Sequence, residues 1–427
     1  MFHLFKEKGF KRYFQSINWL FLEKIARMVI AFAVTIYVAR YLGAENLGTL
    51  NYSIVIVSLT GPLMNIGLDQ VVYKKLIEKI IPQEQILGTA LFLRLLAFIA
   101  LAIFYFLILF SIQISQTEKM MILFIFAGHF FLNFGLLERY FLSNIQAKYI
   151  FVSSISSSLA FSAYRLVLVF LEMDLIYFSL SIGIELLIKS IFLIYFYFKD
   201  NNHITWSFNG ALAKEMLGES WPFIFAGIAN GLFMKMDQVM VKHMISNQAV
   251  GYYSIAVKIT EIFYFIPVII SNSLFPAIMN AKKKSEEQFE KRLRQLYRLM
   301  MALSLIVSVF MFFISDILVA LLFGDNFLEA VPVLKWYIWS SFFVFLGLAT
   351  EKWMLANGLQ KYSLANKVIA ASVNIILNYF LIIEFGLIGA AIATFISYSI
   401  PVIFGPLIWK KTRKNASLIA SSVFRQT

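Results

Sequence analysis

The chain has 427 residues, of which 60% are hydrophobic and only 14% charged, with 17% aromatic side chains and a formal charge of +13. Soluble domains run nearer 45–50% apolar and 25% charged, so this composition excludes a water-soluble globular protein. The absence of cysteine removes disulfides, thiolate metal sites and cysteine nucleophiles, and the four histidines (His3, His129, His203 and His243) have no metal-ligand spacing.

In chain order, the N-terminal stretch from Phe2 to Phe14 has no small-residue cleavage site and reads as an amphipathic segment at the membrane surface. Twelve apolar spans follow, near 17–39, 48–68, 87–110, 119–142, 150–171, 176–198, 219–242, 251–279, 297–322, 331–356, 363–383 and 387–409. Each has about the twenty residues needed to cross a bilayer. Lysines and arginines between spans divide into about 23 on the side of the N-terminus and about 3 on the other. That bias predicts cytoplasmic termini, and the positive charge belongs to cytoplasmic loops, with no nucleic-acid partner.

Loops are short. In the one at 280–298, Ser285 with Gln288 forms a capping box, and Glu287–Lys291 and Glu290–Arg294 are i,i+4 pairs. This segment is expected to be a solvated surface helix. His129 with Asn133 reads as a hydrogen-bonding pair between helices, and the serine-rich fifth span as a close-packing surface.

The chain repeats itself. With Gly48 aligned to Gly251, a shift of 203 residues, ARYLGAENLGTLNYS falls on KHMISNQAVGYYSIA. The repeat divides twelve spans into six and six. Because six is even, the halves share one topology, a parallel repeat of the transporter kind. The expected domains are 1–200, a linker at 201–218, 219–409, and a basic cytoplasmic tail at 410–427. Pro62, Pro222 and Pro267 are expected to make their helices bend.

Charge inside the spans carries the functional argument. In the first helix Ser16, Glu23, Lys24, Arg27 and Thr35 share an arc of about 120°. In the seventh, Asn230, Gly231, Lys235, Asp237, Gln238 and Lys242 share one of about 160°. Eleven cations lie within or at the ends of spans: Lys24, Arg27, Arg94, Arg139, Arg165, Lys189, Lys235, Lys258, Lys335, Lys352 and Lys367. A mid-bilayer cation costs about 3 kcal/mol on the insertion scale. Seven intramembrane acids do not neutralise eleven cations, so the surplus predicts a hydrated cationic cavity. Arg94 lies near a helix end and is expected to snorkel.

ARYLGAENLGTLNYS after a helix with buried Lys and Arg resembles the start of the polysaccharide-transporter flippases that move O-antigen or capsule repeat units. Asp237 followed by VGYYSIAVKI, and FGLIGAAIATFISY near the C-terminus, carry the same resemblance. These proteins form part of the multidrug/oligosaccharidyl-lipid/polysaccharide exporter superfamily. The resemblance implies an all-α integral membrane fold of two six-helix bundles, V-shaped around a central cavity, working by alternating access. It implies an undecaprenyl-pyrophosphate-linked oligosaccharide as substrate, moved from the cytoplasmic to the periplasmic leaflet of a bacterial inner membrane. Other expected partners are membrane lipids, a polysaccharide polymerase and chain-length proteins, with the chain itself monomeric.

For the pyrophosphate we single out Arg27, Lys24, Arg165, Arg139, Lys235, Lys258 and Lys352, since Arg and Lys are the side chains that bind phosphate oxygens. Asp237, Glu23 and Glu261 are the expected coupling-ion residues of a cation-driven antiporter. No catalytic residue, cofactor or metal is expected. Two rivals are a multidrug exporter, which would want an acidic or aromatic lumen, and a membrane-embedded polymerase or glycosyltransferase, which would want a large outside loop or an acidic catalytic cluster.

Overall fold

The fold was analysed in a computed structural model, which describes residues 8–200 and 205–424. Residues 2–7 of the expected surface segment, His3 and His203 lie outside the described residues. Among the described residues every regular element is helical.

The elements are α1 (Lys8–Leu59), α2 (Gly61–Asn65), α3 (Leu68–Glu78), α4 (Gln83–Ser111), α5 (Gln116–Gly128), α6 (Leu136–Ser143), α7 (Ala147–Phe170) and α8 (Leu175–Asp200). There follow α9 (Gly210–Met244), α10 (Asn247–Ile262), α11 (Phe265–Lys284), α12 (Glu286–Phe323), α13 (Ala330–Tyr337) and α14 (Ser340–Ala356). The chain closes with α15 (Gln360–Ser399), α16 (Gly405–Ile408) and α17 (Arg413–Phe424). Nine stretches of the described residues are long and apolar enough to cross a membrane. The first and last each contain a glycine with non-helical angles, Gly43 (φ 70°) and Gly386 (φ 57°), and so hold two spans apiece. Only glycine reaches such angles without strain. α9, 35 residues long, completes the twelve. Phe110 and Phe170 are more than four-fifths exposed, as a lipid-facing surface requires.

The chain divides into two compact units, 1–42 with 53–228, and 43–52 with 229–427. In the first, Leu68 and Val72 of α3, Leu87 and Ala90 of α4, Phe141 of α6, Tyr197 of α8 and Met216 of α9 form one buried core. Five of the six serines of α7 (Ser153, Ser154, Ser157, Ser158 and Ser162) are buried, as close packing predicts. In the second, Phe289, Leu293, Tyr297 and Met300 of α12 pack with Phe345, Ala349 and Trp353 of α14.

The repeat is visible inside the second unit. A Cβ on Gly48 would collide with the Asn247 carbonyl, and one on Gly251 with the Ala44 carbonyl. Each glycine thus meets the counterpart of the other's contact, an isologous crossing of small residues that lets two backbones touch. Asn51 adds a 2.7 Å hydrogen bond from its amide to Ser254 Oγ across the same 203-residue interval. The first helix breaks also correspond: α1 ends at Leu59 and α10 at Ile262.

Four expectations change. Pro267 sits in the first turn of α11, where no backbone N–H is needed, so the bend falls before it, at residues 263–264. The 280–298 segment is not a separate surface helix. Its capping bond is present, Gln288 N–H to Ser285 Oγ at 3.1 Å, but it opens the 38-residue α12, about 57 Å long. One face of that opening is covered by the expected tail, folded as α17: the Tyr297 hydroxyl donates to buried Asn415, and Lys414 bridges Glu286 and Glu290, both at 2.8 Å. Finally, His129 and Asn133 occupy a 3₁₀ segment (His129–Gly135) and bond backbone carbonyls nearby, Ile125 O at 2.8 Å and Phe130 O at 2.7 Å.

Candidate functional site

The polar residues of the spans gather into clusters in each unit. In the first unit, Arg27 of α1 points Nη1 at Glu23, one turn earlier, at 3.1 Å, and Nη2 at Glu185 of α8 at 3.4 Å. Glu23 is buried while Arg27 stays about two-fifths exposed. Glu23 and Arg27 share the arc read from the sequence and stand one turn apart; Glu185 comes from 158 residues further along the chain. Glu185 also lies in the electrostatic reach of Arg165. Arg165, buried on α7, donates Nε to Ser181 Oγ at 2.9 Å and stacks over Phe161 at 4.2 Å. Lys24 is exposed. Glu185 thus contacts Arg27 and lies in the electrostatic field of Arg165. Guanidinium groups held so keep further N–H donors for an anion.

A second cluster in this unit was missed. Asp69, in the first turn of α3, accepts from Arg94 Nη2 at 2.6 Å and lies 3.4 Å from Arg139 Nε. Arg94 is only 1% exposed, so it is held in an ion pair with the half-buried Asp69 and does not snorkel. Asp69 follows Gly67, whose left-handed φ of 62° turns the chain into α3. Nothing in a one-dimensional reading puts it beside α4 and α6. At the other end of α3, Lys74 contacts Glu219 at 3.0 Å and Lys75 contacts Glu215 and Glu219 of α9.

These pairs narrow the expected surplus of charge. Of the eleven cations, Arg27, Arg94, Arg139, Lys189, Lys335 and Lys367 are each within 4.0 Å of a carboxylate. Lys352 donates to Asn272 at 2.6 Å.

In the second unit, Lys235 of α9 and Lys258 of α10 both lie in the electrostatic reach of Glu261. Lys258 also donates to Asn51 Oδ1 at 3.2 Å. Asp237, on the same stretch of α9, is 4% exposed. Its Oδ2 accepts from the Tyr253 hydroxyl at 2.5 Å, and its Oδ1 from the Gln238 N–H at 2.8 Å. The polar arc read from α9 therefore includes a carboxylate held away from solvent by α10. Tyr253 and Asn51 went unnoticed because neither residue type signals such a role in sequence. A mostly apolar cavity of about 140 Å³ in this unit is lined by Phe233, Met234, Phe343 and Tyr398, together with Glu351 and Lys367.

Comparison with known proteins accords with this arrangement. The chain is 25% identical over 198 residues to the probable low-salt glycan biosynthesis flippase Agl15 of Haloferax volcanii, covering 44% of this chain and 40% of that one. It is 26% identical over 200 residues to a putative O-antigen transporter of Shigella flexneri, covering 45% and 46%. The matches span less than half the length of these relatives. Among solved structures, lipid II flippase MurJ in an inward closed conformation superposes with a TM-score of 0.75 over 95% of this chain and 91% of that one, at 16% identity. The two chains therefore share a fold. The polysaccharide biosynthesis protein family model matches residues 36–332, and the chain belongs to that family.

Proposed function

We propose that this protein is a flippase, not an enzyme. It moves an undecaprenyl-pyrophosphate-linked oligosaccharide from the cytoplasmic to the periplasmic leaflet by alternating access, coupled to a cation gradient. Its two six-helix halves, 1–200 and 219–409, rock about the 201–218 linker. It sits in the inner membrane with both termini cytoplasmic, consistent with the lysine and arginine bias of its loops. The observation that carries the reading is that Arg27, ion-paired to Glu185, and Arg165, in the electrostatic reach of the same carboxylate, lie within spans of a chain whose relatives include a probable flippase and a putative O-antigen transporter. Two guanidinium groups near one carboxylate suit a diphosphate, which needs charge and directed N–H donors together. Lys24 adds an exposed cation beside them. Arg139, Lys235, Lys258 and Lys352 are proposed as secondary contacts along the path, and Asp237, with Glu23 and Glu261, as the coupling-ion group.

The test is the fate of lipid-linked repeat units when the gene is removed. Fully built units should accumulate on the cytoplasmic side and be cleared by the wild-type chain but not by Arg27→Gln. Accumulation of incomplete units would point to an enzyme instead.

A further inference from the structure

Asp237, Tyr253 and Thr394 belong to α9, α10 and α15 and form a line of oxygen atoms. The Tyr253 hydroxyl is 2.5 Å from Asp237 Oδ2 and 3.3 Å from Thr394 Oγ1, and Thr394 Oγ1 donates to the Ala390 carbonyl at 3.0 Å. All three residues are at most 4% exposed. We propose that this line is a proton-binding relay in which one proton on Asp237 decides whether α15 is tied to α10. The proposal rests on the flippase reading only in taking Asp237 as the coupling group; the relay itself stands on geometry.

Counting hydrogens gives two arrangements. With Asp237 ionised, the Tyr253 O–H donates to Oδ2 and the Thr394 O–H to Ala390, so no proton lies between Tyr253 and Thr394. With Asp237 neutral, its O–H donates to Tyr253, Tyr253 turns to donate to Thr394, and Thr394 keeps Ala390. Each donor has an acceptor in both states, which buried polar groups require. The neutral state adds one bond, between α10 and α15. Tyr253 and Thr394 are thus positioning residues for the proton.

Both carboxylate oxygens accept one hydrogen bond each, from the Gln238 N–H and the Tyr253 O–H, and a proton on Oδ2 needs only that the Tyr253 hydroxyl turn. The charged and titratable groups in the reach of Asp237 are Tyr253 and Glu261 of α10, Tyr264 of the following turn, Tyr337 of α13 and Tyr398 of α15. Glu261 in turn feels Lys235 and Lys258, so it titrates in a different setting.

The full chain in lipid nanodiscs can be titrated with acid and followed by difference infrared spectroscopy and amide hydrogen exchange. Acidification should produce a carboxylic-acid band that is absent in Asp237→Asn and shifted to higher frequency in Tyr253→Phe. It should also slow exchange across 390–399 in the wild type. That slowing should be lost in the near-isosteric Thr394→Val, which keeps the band. Asp237→Asn can donate to Tyr253 and should show slow exchange at every pH. Unchanged slowing in Thr394→Val, or slowing produced by sodium at fixed pH, overturns the relay. Neither readout uses the transported lipid, so failure of the flippase reading would show separately, as absent transport with the titration intact.

Discussion

Asn51 donates its side-chain amide to Ser254 Oγ at 2.7 Å, and the two residues are 203 positions apart, the interval that aligns the halves of the sequence. A repeat partner is thus also a contact partner. Around this bond Gly48 and Gly251 each bring the other segment's backbone too close for a Cβ.

Gly48→Ala and Gly251→Ala should therefore each destabilise the protein by about 1–3 kcal/mol, the usual cost of overpacking. Gly61 has no atom within 4 Å of a built Cβ, and Gly61→Ala should unfold at the wild-type temperature. Thermal unfolding of the three variants in detergent, followed by tryptophan fluorescence, checks the contrast. Equal stability of Gly48→Ala and Gly61→Ala would mean the crossing is loose.

Much of the fold was legible in the sequence because lipid imposes a simple rule. Apolar stretches of span length with charged loops marked twelve crossings, and Gly386 falls at the expected break between the last two. What was not legible came from contacts distant in sequence. The charge of α12's first turns suggested solvent, but α17 covers one face. Arg94 looked like a helix-end cation because its partner Asp69 lies in another element. The Glu23–Arg27 pair was readable as one helical turn, whereas Glu185 and Tyr253 joined their sites only through packing.

The pair of half-buried Asp69 with buried Arg94 makes a second prediction. Removing the acid leaves the buried Arg94 charge without its carboxylate, a loss that approaches the about 3–5 kcal/mol of a fully buried pair only as an upper bound. Asp69→Asn should lower folded yield sharply, while Asp69→Asn with Arg94→Met should recover part of it. Size-exclusion profiles of the single and double variants decide the point. No recovery in the double variant would assign the loss to some other contact of Asp69.

The docking of α17 is testable through charge reversal. Lys414 is held by Glu286 and Glu290, and those hydrogen bonds raise its pKa above the ordinary lysine value. A raised pKa means the contribution is fully present below about pH 10.4 and fades only as pH rises through the higher folded value. The helix should thus stay docked at neutral pH. Lys414→Glu should speed proteolysis within 410–424 several-fold, and adding Glu290→Lys should reverse part of that effect. Mass spectrometry of the fragments would show it; unchanged cleavage in Lys414→Glu would leave Asn415 and the apolar face as the anchors.

Orientation gives a further prediction. Reporter fusions after residues 44, 115, 173, 247 and 326 should report the periplasm, and those after 78, 146, 208, 288 and 360 the cytoplasm. Most fall at or beside observed helix breaks, including the Gly43 kink and the turn at Gly324. Two neighbouring fusions reporting the same side would remove a span from the count.

The final prediction separates binding from mere neutralisation at Arg27. Its guanidinium is gripped by Glu23 at 3.1 Å and Glu185 at 3.4 Å, yet about two-fifths of the side chain remains exposed. If Arg27 serves only to neutralise these acids, removing charge on both sides should restore what Arg27→Gln loses. Glu23→Gln with Arg27→Gln, and the triple variant that adds Glu185→Gln, would then transport normally. If Arg27 binds phosphate, both should insert and fold yet remain inactive. Arg27→Lys should also be impaired, because lysine keeps the charge but lacks the planar pair of donors. We expect inactive double and triple variants and at least a tenfold loss in Arg27→Lys, about 1.4 kcal/mol. The readout is flux of lipid-linked oligosaccharide in vesicles with equal amounts of folded protein. Full flux in the triple variant would make Arg27 a structural counter-ion and move the phosphate site to Arg165.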